Sequence, residues 1–322
     1  MAVYTEVSDE ELAAFAAQYD IGDVQAFKGI AEGVENSNYL LAAERGQFIL
    51  TLYEKRTRPE DLPFFLGLME HLAARGLACP TPIHGRDGQA LRQLSGKPAA
   101  MVSFLKGMSA KSLQPWHCQA LGQALGQLHL AGADFKGGRA NALSVSGWRP
   151  LFEAARCGAD QVAPGLERLI GDELDRLEAE WPTDLPKGVI HADLFPDNVF
   201  FLGDKLSGLI DFYFACTDFL AYDIAVCVNA WCFEKDLSFN ATKARLLLGA
   251  YEKVRRLDDA EVKALPLLCR GAAMRFLLTR LYDWLNTPEG ALVTRKDPRE
   301  YLKKLRFHQG VVRAEAYGLD AR

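Results

Sequence analysis

The feature that most constrains this chain is a short polar segment between apolar runs near residue 190. Val189 and Ile190 lead into a His-Ala-Asp triplet that ends at Asp193, and Asn198 follows five residues later. A second apolar run ends in Asp211, thirteen residues beyond Asn198. Short apolar runs interrupted by polar loops are typical of strands. The pattern therefore predicts two adjacent strand ends that bring three polar side chains to one place.

The periodicity of the apolar residues divides the chain into two parts. Ser8 begins a predicted helix, residues 24–53 predict an antiparallel meander with one glycine-rich turn, and Pro59 begins another helix. Beyond Gly107 the pattern becomes helical, first after Pro115 and then in six further stretches. These stretches are at about 148–157, 160–181, 219–233, 241–256, 259–285 and 298–318. A small mixed part is therefore followed by a larger helical one.

Composition excludes several classes of protein. The 322 residues are 49% hydrophobic and 25% charged, which is typical of a globular chain with room for two cores. A formal net charge of -5 gives no overall attraction to nucleic acid or to an anionic membrane. Seven scattered cysteines without a C-x-x-C pair predict neither disulfides nor a zinc site, and favour the cytoplasm. No leader and no membrane span is predicted, and oligomeric state is left open.

Asp193, Asn198 and Asp211 are the residue types that phosphoryl transfer requires. A carboxylate orients the attacking hydroxyl and takes its proton, while further oxygen ligands hold magnesium on the phosphates. For a single Asp or Asn in a loop, an Asx-turn or a helix cap is the simpler explanation. The spacing of the whole set favours the catalytic interpretation. His191 is interpreted as structural support for the loop.

This segment resembles the Brenner-type motif of aminoglycoside phosphotransferases and choline kinases, and less closely the catalytic motifs of protein kinases. Residues 121–129 resemble the first helix of the family's large lobe, and residues 222–225 resemble its Y-D-L-A turn. The resemblance implies an α+β, bilobal, protein-kinase-like fold that uses ATP and Mg²⁺. Its small N-lobe, with an antiparallel sheet and helices, would be residues 1–106, and its mainly helical C-lobe residues 107–322.

The same resemblance assigns roles to individual residues of the large lobe. Asp193 would be the catalytic base, while Asn198 and Asp211 would bind magnesium. Asp223, in the Y-D-L-A turn, would brace the catalytic loop.

The small lobe would bind the nucleotide. Residues 101–107 resemble the hinge, where backbone groups near Ser103 and Leu105 would pair with adenine. The glycine-rich turn would cover the phosphates, although a plain hairpin is the alternative explanation for it. The candidate residues in this turn are Gly33, Asn36, Ser37 and Asn38.

The strand after this turn departs from the family pattern. The family carries a Lys or Arg that contacts the α and β phosphates, whereas the register places Thr51 here, and the partner glutamate falls at Phe65. Loss of both partners leaves no buried charge unpaired. Either Lys55, on the same strand face by period two, or Lys28 replaces the charge, or magnesium and loop amides contribute more. A nucleotide-binding module without catalysis is the alternative that this departure raises.

The acceptor is predicted to be a small molecule. Asp211-Phe-Tyr lacks a following glycine, and the short distance to the helix near Phe219 leaves no room for a long activation loop. Residues 33–39, 50–55 and 275–283 resemble the second type of bacterial homoserine kinase. That resemblance implies transfer of the ATP γ-phosphate to the side-chain hydroxyl of L-homoserine, in threonine biosynthesis.

Homoserine is a zwitterion, so its pocket requires a cation for the carboxylate and an acid for the ammonium. Arg275 and Arg280 are the carboxylate candidates. Asp283 could meet the ammonium or pair with Arg280 at i+3, and a solvated helix face is the alternative for all three. Choline, methylthioribose or an aminoglycoside is the alternative acceptor. Choline would require an aromatic cage, for which Trp231, Phe233, Tyr213 and Trp284 are available.

Overall fold

The computed structural model describes residues 5–30, 36–54, 57–287 and 295–320. Its first part contains a five-stranded antiparallel sheet with the strand order β1-β2-β3-β5-β4. The meander predicted from residues 24–53 is confirmed. The strands are β1 (Val24–Gly29), β2 (Ser37–Ala43), β3 (Gly46–Leu52), β4 (Leu91–Leu94) and β5 (Lys97–Ser103).

Strand β5 is buried on both faces and separates two cores. Ala99 and Met101 face one core, which they share with helix α1 (Asp9–Ala16). Ala100 and Val102 face the other, which contains helix α2 (Leu62–Ala74) and continues into the second part of the chain. Because successive strand residues point to opposite faces, one apolar strand can join both cores. The sheet is thereby packed directly against the helical part.

The second part is mainly helical. Its helices are α3 (Pro115–Ala131), α4 (Val145–Glu153), α5 (Ala159–Val162), α6 (Leu166–Glu180), α7 (Leu220–Trp231), α8 (Ala241–Val254), α9 (Asp259–Asn286) and α10 (Arg299–Gln309). Two small antiparallel sheets lie among them. They are formed by β6 (Met108–Ser109), β8 (Val199–Leu202) and β9 (Lys205–Leu209), and by β7 (Lys187–Ile190) and β10 (Cys216–Phe219).

Three of the helix predictions were wrong at their boundaries. The helix predicted at 148–157 begins three residues earlier and ends at Glu153. The one predicted at 160–181 is two helices, because Gly165 adopts a left-handed conformation (φ 74°) between them. The last one ends at Gln309, where Gly310 caps it, and only a short 3-10 turn follows (Ala314–Tyr317).

The boundary between lobes at residues 106 and 107 stays a prediction.

Across the described ranges, no helix combines the length and the apolar character needed to cross a membrane. All seven cysteines are free thiols, and six of them are buried.

Helices α3 and α8 approach each other at two glycines. A Cβ atom built on Gly122 would lie 2.0 Å from the carbonyl oxygen of Leu247, and one on Gly126 would lie 2.8 Å from Cβ of Val254. Real Cβ atoms are not found at such distances, so the two backbones can come this close only because both residues lack a side chain.

We expect Gly122→Ala to destabilise the protein by about 1–3 kcal/mol, because the added methyl group meets backbone rather than a movable side chain. Gly171→Ala is the matched control. Gly171 lies inside α6 with nothing within 4 Å of a built Cβ, so alanine there should stabilise by about 0.5–1 kcal/mol. Urea denaturation of the three proteins measures both free energies. Equal effects of the two substitutions would contradict the close backbone contact.

Candidate active site

The loop after β7 holds Asp193 and Asn198 together. The side-chain amide of Asn198 donates to the main-chain carbonyl of Asp193 at 2.8 Å and to its carboxylate at 3.3 Å. Asn198 is also tied to the end of β9, since its carbonyl accepts from the amide of Ile210 at 3.0 Å. Asp211 is the next residue. The three predicted polar residues are therefore brought to one end of the β8–β9 hairpin.

Two residues of this site have unusual backbone conformations. Ala192 (φ 63°) and Asp211 (φ 64°) both occupy the left-handed region although neither is glycine. Such residues cost of order 1–3 kcal/mol and persist only where the surroundings fix them. Ala192 directly precedes Asp193, and Asp211 is itself one of the three polar residues. The backbone strain therefore lies at positions that orient these side chains.

Asp223 fixes the first of these conformations. From α7 its buried carboxylate accepts the amide of His191 at 2.7 Å and the amide of Ala192 at 2.8 Å. His129 of α3 reaches the same carboxylate at 3.3 Å. Burial alone would raise the pKa of Asp223, but the hydrogen bonds from His129 and from the His191 amide lower it below its usual value. Asp223 is therefore a buried anion held under the loop.

His129 belongs to a longer network that the sequence analysis did not identify. Its Nδ1 lies 2.7 Å from the hydroxyl of Tyr251 in α8, and Arg255 donates to that hydroxyl at 3.1 Å. Arg255 is itself paired with Glu261, a residue of the first turn of α9. No sequence spacing signals these contacts, because they join three helices.

His191 lies behind the loop. Its Nε2 donates to the carbonyl of Ile210 at 3.0 Å, and its ring packs against Phe212 with centroids 4.6 Å apart. Burial lowers the pKa of His191, which keeps the ring neutral near pH 7. The imidazole thus connects the loop after β7 to the strand end that precedes Asp211.

Burial raises the pKa of Asp193 above its usual range, and the positive charges of Arg275 and Lys296 reduce that rise. Arg275 is 2% exposed, and its Nη1 donates to the carbonyl of Ala192 at 2.5 Å. A carboxylate with a raised pKa is better matched to accepting a proton near neutral pH.

Two of the predicted nucleotide-binding residues, Gly33 of the glycine-rich turn and Lys55 after β3, lie outside the described residues. The side chain of Asn36 accepts from the amide of Glu54 at 3.2 Å, and the hydroxyl of Ser37 donates to the Glu54 carboxylate at 2.7 Å. Both side chains are buried, so a nucleotide would meet the backbone here. The Asn38 amide oxygen accepts from the hydroxyl of Thr51 at 2.8 Å.

The hinge candidates lie at the end of strand β5, where Ser103 is the last residue, and just beyond it. Ser103 pairs with Thr81 through both its amide, at 2.8 Å, and its hydroxyl, at 2.9 Å. Leu105 packs beside Gly208 of β9, where a built Cβ would lie 2.5 Å from the leucine side chain. The segment therefore passes close to the hairpin that carries the polar set.

An aromatic cluster contains Phe65, the position where the family resemblance predicts the glutamate of the missing ion pair. Thr51 is buried, and Phe65 packs edge-on against Tyr213 with ring centroids 5.7 Å apart. The hydroxyl of Tyr213 lies 3.2 Å from that of Tyr53. Burial raises the pKa of Tyr213 to about 12, so this hydroxyl stays protonated. Lys28, the other candidate replacement cation, is exposed on β1.

The substrate candidates of α9 have partners in the protein. Arg280 pairs with Glu300 at 2.5 Å and stacks on Tyr301, with its guanidinium 4.4 Å from the ring centroid. Asp283 is half-buried one turn further along. The proposed cage residue Trp231 is fully buried and donates to the carbonyl of Leu194 at 2.7 Å.

The fold is that of known phosphotransferases. Amicoumacin kinase, solved with AMP-PNP, Ca²⁺ and Ami, superposes with a TM-score of 0.68 at 15% identity, covering 97% of this chain and 93% of that one. Choline kinase from Cryptosporidium parvum superposes with a TM-score of 0.68 at 14% identity, covering 94% of each chain. The predicted α+β, protein-kinase-like fold is confirmed.

A family model described as the phosphotransferase enzyme family matches residues 26–257, and the chain belongs to this family. Its curated relatives specify the branch. Homoserine kinase of Paramagnetospirillum magneticum is 68% identical, over 99% of this chain and 100% of the relative. Homoserine kinase of Xanthobacter autotrophicus is 66% identical over 100% of both. Within the phosphotransferases, the chain therefore belongs to the homoserine kinases.

We expect Asp223→Asn to lower kcat about 100-fold. Each carboxylate oxygen of Asp223 accepts a backbone N–H, so the NH2 group of asparagine would face a hydrogen-bond donor in either orientation. Asp218→Asn is the control. Asp218 is also buried and accepts from Asn141 and from the amide of Phe219. Steady-state kinetics and melting temperatures separate the two. The brace would be refuted by normal kcat in Asp223→Asn, or by an equal kcat loss in both variants.

Proposed function

We infer that this chain is an ATP-dependent homoserine kinase, which transfers the γ-phosphate to the side-chain hydroxyl of L-homoserine and gives O-phospho-L-homoserine. The observation that carries this inference is the identity of 62–68% with curated homoserine kinases over essentially the whole chain. The arrangement of the catalytic loop supports it, since Asp193 and Asn198 are hydrogen bonded at the end of the β8–β9 hairpin.

In the proposed reaction, Asp193 is the general base. The homoserine hydroxyl oxygen forms a bond to the γ-phosphorus, the bond from that phosphorus to the β,γ-bridging oxygen breaks, and ADP leaves. The hydroxyl proton passes to the Asp193 carboxylate. Its raised pKa favours this role, and the Asn198 amide at 3.3 Å orients the carboxylate that receives the proton.

Magnesium fits the donor set of this loop. Within the described ranges, His, Cys, Asp and Glu side chains form no group of three or more that could hold a metal by themselves. Mg²⁺ is usually held by one or two carboxylates together with substrate phosphates. We propose that Asn198 and Asp211 hold it here. When bound, the ion would neutralise negative charge on the phosphates of ATP.

The nucleotide is proposed to lie between the glycine-rich turn and the hinge. Backbone groups near Ser103 and Leu105 would pair with adenine, and Gly33 with its neighbours would cover the phosphates. The cation that replaces the missing lysine at Thr51 stays a choice between Lys55 and Lys28, or falls to magnesium and loop amides. The location of the enzyme in the cytoplasm also stays a prediction.

Other small alcohols are weaker alternatives. A choline kinase would require a cage of accessible aromatic rings, whereas Trp231 is fully buried and Phe233 packs against Phe239 and Phe307. A module without catalysis is disfavoured by the retained Asp193, Asn198 and Asp211.

We expect Asp193→Asn to lower kcat by about 10²–10⁴-fold, because the amide cannot take the hydroxyl proton. Binding of AMP-PNP, measured by calorimetry, should change little. Asp197→Asn, an exposed carboxylate in the same loop, is the matched control and should keep wild-type kcat. Turnover by Asp193→Asn at the wild-type rate would show that another group is the base.

A substrate panel tests the acceptor. With ATP and magnesium, ADP release is measured for L-homoserine, choline, ethanolamine, methylthioribose and an aminoglycoside. We expect the highest kcat/KM for L-homoserine, since the relatives at this identity are homoserine kinases. A higher kcat/KM for any other acceptor would replace homoserine as the substrate without changing the proposed chemistry.

A further inference from the structure

An exposed lysine lies against the catalytic loop. The Nζ atom of Lys296 is 5.5 Å from the centroid of the Phe195 ring, and Phe195 is two residues beyond Asp193. Lys296 therefore lies beside the segment that carries the proposed base. No sequence motif links Lys296 to this loop.

The neighbouring cations are already engaged. Arg275 is buried beneath the loop and donates to the carbonyl of Ala192. Arg280 and Lys304 both pair with the carboxylate of Glu300. Over the described ranges, by contrast, Lys296 forms no ion pair, and its contact with the protein is the face of a phenyl ring.

The backbone beside Lys296 is well anchored. Asp297 accepts from the amide of Arg299 at 2.8 Å and pairs with its side chain. Its carbonyl lies 3.5 Å from Nη1 of Arg280, and Pro298 caps α10. Arg280, which the sequence analysis took as a carboxylate ligand, thus holds the start of α10 in place and positions the lysine.

We propose that Lys296 binds the carboxylate of the substrate and so makes the enzyme selective for an amino acid over a simple amino alcohol. This inference rests on the proposed function. In homoserine a short carbon chain separates the reacting hydroxyl from the carboxylate, so the carboxylate must be met close to Asp193. The contact with the Phe195 ring limits the range of positions that the ammonium group can take.

The test compares Lys296→Met, Lys296→Arg and Lys303→Met with the wild type. Lys303 is an exposed lysine of α10 and serves as the matched control. Each protein is assayed with L-homoserine and with 3-amino-1-propanol, which keeps the hydroxyl and the ammonium but lacks the carboxylate. Where aminopropanol turnover is too slow to follow, its inhibition constant against homoserine is measured instead. The KM for ATP is measured throughout.

We expect Lys296→Met to raise the KM for homoserine about 10- to 100-fold, the range for loss of one charged hydrogen bond. The constants for aminopropanol and the KM for ATP should stay within about twofold, as should all values of Lys303→Met. Lys296→Arg should recover most of the affinity. An unchanged homoserine KM would refute the proposal, and so would an equal loss for both acceptors or a raised KM for ATP.

The assays distinguish an error in the role of Lys296 from an error in the proposed function. If the wild type phosphorylates homoserine and Lys296→Met leaves its KM unchanged, the role of Lys296 is wrong and the proposed function stands. If the wild type does not phosphorylate homoserine, both are wrong.

Discussion

The hydrogen bonds from two consecutive loop amides to Asp223 are the interaction on which the site depends. They hold His191 and Ala192 in a conformation that Ala192 does not favour, and this fixes the backbone from which the next residue, Asp193, projects. The buried carboxylate is itself sustained by His129. Because a buried charge without partners is costly, the loop and α7 stabilise each other, and neither can rearrange alone.

Packing is found in the first part of the chain where the family resemblance predicts an ion pair. Thr51, at the position predicted for the cation, is bonded to Asn38, and Phe65, at the position predicted for the glutamate, packs on Tyr213. An aromatic contact buries no charge, so it links α2 to the segment after Asp211 at a lower desolvation cost than a buried ion pair would. It supplies no positive charge to the phosphates, however, so other groups have to neutralise the phosphates of the bound nucleotide.

Local patterns predicted the fold and the polar set well, because their contacts are close in sequence. Asn198 and Asp211 flank the β8–β9 hairpin, and the meander of residues 24–53 pairs neighbouring strands. Contacts between distant helices could not be predicted. Nothing in the sequence distinguishes Arg280, which is paired with Glu300, from Lys296, which forms no ion pair with the residues that the structure describes. Helix ends failed where glycine conformation decided them, as at Gly165.

The close contact of α3 and α8 has a consequence for variation in the sequence. Gly122 and Gly126 set the separation of two helices that also carry His129 and Tyr251. The length of the hydrogen bond between His129 and Tyr251 therefore depends on two glycines that do not take part in it. A substitution at one of these four positions affects the others, so we expect sequence changes at these positions to be correlated during evolution.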